Sequence, residues 1–294
     1  MANRQPFVLL DDARDGGGVD AHVYDAPRQI FVARQAGEVA AVLAAADAAR
    51  QSDGGTLAGY IAYEAGLALE PKLQALTQAR SGAVGPLVWL GLFDDVQTLP
   101  ADAVPDWLAA RSDGTAASLG PLDPQLSPGG YAQAFAALQD AIRAGDIYQA
   151  NLTFPLAGSY RGDPVALYAA LRPAAQAGYG GMVYDGAHWL LSLSPELFFS
   201  LRGHVAKVKP MKGTRPRGRD TASDAALAQE LAGSVKDRAE NLMIVDLMRN
   251  DLSRVAAVGS VRVETPFAVE TYPTVHRWFR PCGHVWGPAR ARPT

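Results

Sequence analysis

Apolar and polar positions follow two different periods along this chain, and the changes of period mark out its elements. FVLLDDA at 7–13 is an apolar run entering an acidic turn, which predicts a strand. EVAAVLAAADAARQ at 38–51 is alanine-rich with apolar residues at helical spacing, and predicts a helix. TLAGYIAYEAG and GPLVWLGLFD hold β-branched, aromatic and alternating apolar residues bounded by glycine and proline, and predict strands. Between 97 and 130 the character shifts. LPADAVPDW and SLGPLDPQLSPGG are rich in Pro, Gly, Ala and Ser and predict a linker or long surface connection.

The second half opens with YAQAFAALQDAIRAGDIYQANLTFPL, a predicted helix from Tyr131 to Ala144, ended by Gly145, with a strand following. GMVYDGAHWLLSLSPELFFSLRGHVAKVKP predicts consecutive antiparallel strands with turns at Asp185-Gly186 and Arg202-Gly203. Helices are expected at Ser223 to Ala232 and Val235 to Met248, and GSVRVETPFAVETYPTVHRWF returns to strand or irregular structure. Strands gathered in hairpins, with helices in separate runs, predict an α+β fold rather than a doubly wound parallel sheet. The expected regions are 1–120, 125–280 and a tail at 281–294.

Composition changes this picture little. The 294 residues are 48% hydrophobic and 19% charged, as in an ordinary globular chain. The net charge of −3 gives no global attraction for nucleic acid, so any basic site is local. The single cysteine, Cys282, excludes an internal disulfide and a cysteine-built metal site and suits a reducing compartment. No signal peptide or membrane-length apolar run is present, so a cytoplasmic location without membrane partners is expected.

Four stretches carry candidate chemistry. PMKGTRPRGRD reads either as a solvated basic turn or as an anion-holding loop. In the second reading Gly213 and Gly218 let the backbone approach a ligand, and Arg215 and Arg217 fork onto carboxylates or phosphates. A lysine flanked by cations, such as Lys212, is also one whose neutral, nucleophilic form is favoured. In SLSPELFF, Glu196 is either an exposed strand-end carboxylate or a general acid against apolar walls. In KDRAENLMIVDLMRNDL, Asp237, Glu240 and Asn241 share one helical face, which suits a hard cation such as Mg²⁺ or a merely charged surface. His276 in TYPTVHRW is either a satisfied core histidine or a site residue, and the other four histidines show no metal or triad spacing.

Taken in order, GDIYQANLT, SPELFF, KGTRPRG, KDRAENLMIVDLMRNDL and VETYPTVH closely resemble the chorismate-utilising enzymes, over most of residues 125–280. That family includes anthranilate, aminodeoxychorismate, isochorismate and salicylate synthases. PFVLLDDAR, GYIAYEAG and WLGLFD resemble the aminodeoxychorismate synthase branch, component I. The resemblance implies a fold of antiparallel sheets packed with helices, and a folate-precursor reaction. Lys212 would attack the chorismate ring as the 4-hydroxyl leaves, Glu196 would handle that hydroxyl's proton, and ammonia would displace the lysine. Glu240 would ligate Mg²⁺ with Asp237 in support, and Gly213, Thr214, Arg215, His276 and Gln149 would line the substrate pocket. A glutamine amidotransferase partner would supply the ammonia. Anthranilate synthases, the runner-up, carry alanine where Lys212 stands, and isochorismate synthases carry a water-activating lysine where this chain has Gln149.

Two departures qualify the expectation. LLDD stands where relatives with a tryptophan pocket resemble Leu-Leu-Glu-Ser, so tryptophan binding is not expected. After VHRWFR the resemblance stops, and PCGHVWGPARARPT lacks a core pattern. A domain missing its C-terminal part is therefore expected, with a non-catalytic homologue that binds only chorismate or the partner as the rival reading.

Overall fold

The computed structural model describes residues 4–15, 18–77, 85–263, 268–273, 275–279 and 282–285. Contacts divide it into two compact units, each assembled from separate stretches of chain. One holds 1–27, 93–104 and 170–294, and the other holds 28–92 and 105–169. Both mix helices with antiparallel strands, as the α+β expectation requires.

The first unit is built on a five-stranded sheet, in the order Trp189–Ser194, Tyr179–Tyr184, Phe7–Asp11, Ala21–Asp25, Gln97–Leu99. Phe7 pairs with Tyr184 on one side and Asp25 on the other. Flanked on both edges, the first strand buries Phe7, Val8 and Leu9 completely. The acidic turn after it is satisfied internally. Arg172 grips Asp11 with two bonds of 2.7 and 3.0 Å, and Asp12 accepts from the Arg14 guanidinium and from the backbone N–H of Val19. Both carboxylates of LLDD are thus committed to the fold.

A four-stranded sheet in the same unit runs Leu197–Arg202, Val205–Lys209, Cys282–Val285, Val261–Val263. The tail read as patternless therefore supplies a strand. A ladder needs backbone N–H and C=O groups, not an apolar repeat. A three-stranded sheet, Met211–Pro216, Val275–Phe279, Ala268–Thr271, carries the lysine strand on its edge. The predicted turns are present, with Gly186 and Gly203 at positive φ. The two late helices run Thr221–Gly233 and Val235–Ser253, capped by Asp220 and Ser234.

The second unit packs helix Val39–Asp53 on a sheet ordered Gln29–Ala33, Val88–Phe93, Thr56–Ile61, burying Phe31, Ala46 and Leu92. The expected linker is only partly one, since Val104–Arg111 is helical. Pro105 falls where a helix tolerates proline, in its first turn, and Val104 and Leu108 are buried. Helix Pro128–Ala144 starts three residues before the expected Tyr131, with Ser127 accepting from Gly130 N–H and proline at its start. The strand expected after Gly145 is absent, and nothing regular forms until Leu156. Among the described residues no segment pairs with it, and a strand without a partner is not stable. No helix of the described residues is long and apolar enough to cross a membrane.

Candidate active site

Strand Met211–Pro216 is kinked where it presents Lys212. Its register against Val275–Phe279 slips between Lys212 and Thr214, a β-bulge with Gly213 at φ +82°. The bulge lies against helix Val235–Ser253. A Cβ at Gly213 would stand 3.0 Å from Leu231 Cδ1 and 3.2 Å from Asp237 Oδ1. Gly213→Ala is therefore expected to cost about 2–3 kcal/mol, combining left-handed backbone strain with overpacking. Urea denaturation will show this as a lowered midpoint at unchanged slope, whereas a shift below about 0.5 kcal/mol would mean the bulge relaxes freely.

The lysine itself is half-buried, and its ammonium has no hydrogen bond or ion pair with any described residue. Beside it, Glu196 Oε1 accepts from the backbone N–H of Met211 at 3.0 Å. The fold thus brings the predicted acid to the residue before the predicted nucleophile. The apolar walls expected around Glu196 are not there: Glu196 is exposed, because the following strand is a sheet edge with Phe198 and Phe199 open to solvent.

The arginines are used differently from the anion-gripping expectation. Arg215 donates to Glu230 and Asp237, both at 3.0 Å, which holds its guanidinium above the ordinary pKa. Arg217 forks onto Asp224 and donates to the Tyr272 carbonyl. His276 is buried, with Nε2 2.9 Å from Asp224 and Nδ1 3.0 Å from Thr271 Oγ1, so both ring nitrogens have partners within the fold. Thr214 is exposed, and its hydroxyl accepts from Arg277. Gln149 belongs to the other unit.

Asp224 is the knot of this region. The Arg217 guanidinium, then the Gly218 N–H and His276, hold its carboxyl far below the usual carboxylate range. A carboxylate depressed on folding stabilises above its unfolded pKa of about 4 and loses that contribution as pH falls below it. Asp224→Asn is accordingly expected to melt below the parent at pH 6, with the gap narrowing as pH drops under about 4. Thermal melts across pH will show it, and a gap of constant size down to pH 2 would contradict the assignment.

One feature escaped the sequence reading. Lys209 binds both Glu270 oxygens, at 2.7 and 2.8 Å, and Tyr272 donates to the same carboxylate at 2.7 Å while lying 3.3 Å from the Pro195 carbonyl. Burial, then Glu270, pushes the Tyr272 phenol well up and keeps it a donor. This places a buttress directly behind Glu196. Its signal was the two-residue spacing of Glu270 and Tyr272 at a strand end, visible only once the pairing of strands is known. Asn241, which the sequence placed on one helical face with Asp237 and Glu240, is fully buried one turn beyond Asp237, and its amide oxygen and nitrogen find no partner among the described residues and are open to a water or ligand atom.

For a divalent cation the available donors are few. Glu240 is partly exposed, and its ion-pair partner is Lys236 at 3.8 Å, too far for a hydrogen bond. Asp237 is occupied by Arg215. Among the described residues no three His, Cys, Asp or Glu side chains cluster as a complete protein site would. One open carboxylate fits Mg²⁺, which takes one or two protein carboxylates and fills its shell with water and substrate oxygens.

The sequence matches the chorismate binding enzyme family over residues 5–281. The chain belongs to that family. It is 47% identical over 146 residues to aminodeoxychorismate synthase component 1 of Klebsiella aerogenes, covering 50% of this chain and 32% of the relative. It is 44% identical over 142 residues to anthranilate synthase component 1 of Thermus thermophilus, covering 48% and 31%. The chain thus matches about a third of the length of these curated relatives. The menaquinone-specific isochorismate synthase of Escherichia coli shares the fold with a TM-score of 0.66 at 14% identity, over 97% of this chain and 66% of that one. Anthranilate synthase component I of Streptococcus pneumoniae does so at 0.63 and 21% identity, over 80% and 58%.

Proposed function

We propose that this chain binds chorismate and carries the aminodeoxychorismate synthase component I reaction, in the making of para-aminobenzoate and folate. The observation that carries this reading is a Lys212 ammonium without a partner among the described residues, next to the backbone N–H that anchors Glu196. In the proposed sequence the deprotonated Lys212 amine forms a bond to the chorismate ring as the 4-hydroxyl departs. Glu196 gives that hydroxyl its proton, so it leaves as water. Ammonia then displaces the lysine, which leaves 4-amino-4-deoxychorismate and a free amine.

The Gly213 bulge turns the strand so that Lys212 and the exposed Thr214 flank the open backbone. Mg²⁺ held by Glu240 would supply positive charge for a substrate carboxylate, while Asp237 supports the loop through Arg215. Arg215 and His276 serve this site from within the fold through their partners rather than by gripping substrate. The ammonia is proposed to come from a glutamine amidotransferase subunit, and the location to be cytoplasmic.

A second reading is favoured by the Thermus thermophilus match: anthranilate synthesis, which releases pyruvate. Purified protein given chorismate, Mg²⁺ and ammonium salts at pH 8 separates the two. 4-Amino-4-deoxychorismate without pyruvate supports the proposal, and anthranilate with pyruvate favours the second reading. Chorismate binding without turnover would reduce the proposal to a binding role.

A further inference from the structure

The two groups proposed to act together stand on different sheets. Glu196 precedes strand Leu197–Arg202 of the four-stranded sheet, and Lys212 lies in strand Met211–Pro216 of the three-stranded one. A single residue, Pro210, carries the chain from Lys209 in the first sheet to Met211 in the second. Proline has no N–H to continue a ladder, so the backbone changes sheets there. Strand pairing fixes each residue within its own sheet and leaves the gap between acid and amine to other contacts.

Those contacts converge on one carboxylate. Glu270, in strand Ala268–Thr271 of the lysine's sheet, takes the Lys209 ammonium on both oxygens at 2.7 and 2.8 Å. Lys209 pairs across from Leu197, the residue after Glu196. On the other side, the Tyr272 phenol donates to Glu270 at 2.7 Å and stands 3.3 Å from the carbonyl of Pro195, the residue before Glu196. The phenol has one proton, so the short bond takes it and the Pro195 contact is the weaker. Both chain neighbours of Glu196 are thus tied to Glu270. Glu196 has little else to hold it. Ser194 Oγ accepts from its N–H and donates to its carbonyl, both at 3.2 Å, and the exposed side chain rests Oε1 on the Met211 N–H.

We infer that Glu270 is a positioning residue: held by Lys209 and Tyr272, it joins the two sheets and sets where the Glu196 carboxyl stands relative to the Lys212 amine. It acts through Pro195 and Leu197 rather than on substrate. The inference rests on the reading that Glu196 and Lys212 work as a pair. Proton transfer needs hydrogen-bond reach, and a group displaced by about 1 Å loses rate while substrate binding persists.

The test uses the full chain. Glu270→Gln keeps the shape and removes the charge, and Tyr272→Phe keeps the Lys209 pair and cuts only the Pro195 side. With chorismate and ammonium salts, kcat is expected to fall ~30-fold in the first and ~5-fold in the second, with KM within ~2-fold of the parent. A second readout needs no turnover. Of the five methionines, labelled with ¹⁵N, Met211 is identified as the amide signal lost in Met211→Leu. Its charge-assisted bond to Glu196 shifts the amide proton downfield, and the shift is lost in a step as acid protonates Glu196. Glu196→Gln abolishes that step. In Glu270→Gln and Tyr272→Phe the step is expected to shrink ~2-fold or more, as the bond loosens.

A full-sized step in both variants overturns the inference whatever kcat does, because the carboxyl has not moved. So does a kcat within ~2-fold of the parent in both, or a loss confined to KM. If Glu270→Gln fails to fold, Tyr272→Phe decides alone. If the parent forms no product, the Lys212 reading fails, and the Met211 resonance still decides whether Glu270 places Glu196.

Discussion

Alanine at position 212 is expected to lower 4-amino-4-deoxychorismate formation by ~10³-fold or more, the scale of losing a covalent nucleophile. The same change is expected to leave stability within about 1 kcal/mol of the parent. Both halves follow from one observation: the Lys212 ammonium makes no hydrogen bond or ion pair with any described residue, so its removal breaks none of these. The surrounding arginines sharpen the test. Arg215 and Arg217 are balanced by Glu230, Asp237 and Asp224, so little unpaired positive charge stands near the lysine to replace it. Lys212→Arg separates chemistry from charge, because guanidinium keeps the charge and cannot serve as the amine nucleophile. Product formed at the parent rate by either variant removes the lysine from the mechanism.

Arg172→Ala is expected to cost ~3–5 kcal/mol, since it strands a buried carboxylate. Asp11 is fully buried at the side chain and Arg172 is 12% exposed, and the guanidinium meets both carboxylate oxygens. The pair fastens helix Pro164–Ala175 to the end of the central strand. Replacing both partners, as in Asp11→Leu with Arg172→Leu, is expected to recover most of the loss, because no charge is then left alone. Urea titrations of the two single variants and the double variant form the cycle. Additive losses would show that the groups do not act as a pair.

What the sequence made legible follows from where the physics is local. The helix beginning near Val39, the Asp185-Gly186 and Arg202-Gly203 turns and the late helix pair all rest on spacing, caps and glycine, and all are present. Helix Val104–Arg111 was hidden because prolines that open helices also populate linkers. The strand after Gly145 failed for the opposite reason: its composition is right, but strand formation is decided by a neighbour. In the site, Glu196 bonds to the residue before Lys212, while the bulge at Gly213 is a feature of the strand pairing that the sequence did not announce. The partners of Arg215, Arg217 and His276 did not show, since Glu230, Asp224 and Thr271 reach them through tertiary packing. A charged residue read alone always looks available for a ligand, and only the fold says which carboxylate has already taken it.

Phe7–Asp11 leaves the ribosome long before Tyr179–Tyr184, the neighbour it needs on one flank. At ~5–20 residues per second, the interval before that neighbour emerges is on the order of ten seconds or more. Through that delay an apolar, β-prone ribbon has at most one hairpin mate, Ala21–Asp25, to shield it. Production of this protein in a cell should therefore respond strongly to chaperone supply and to slower growth temperatures, and a clone trimmed to begin after residue 25 should yield inclusion bodies.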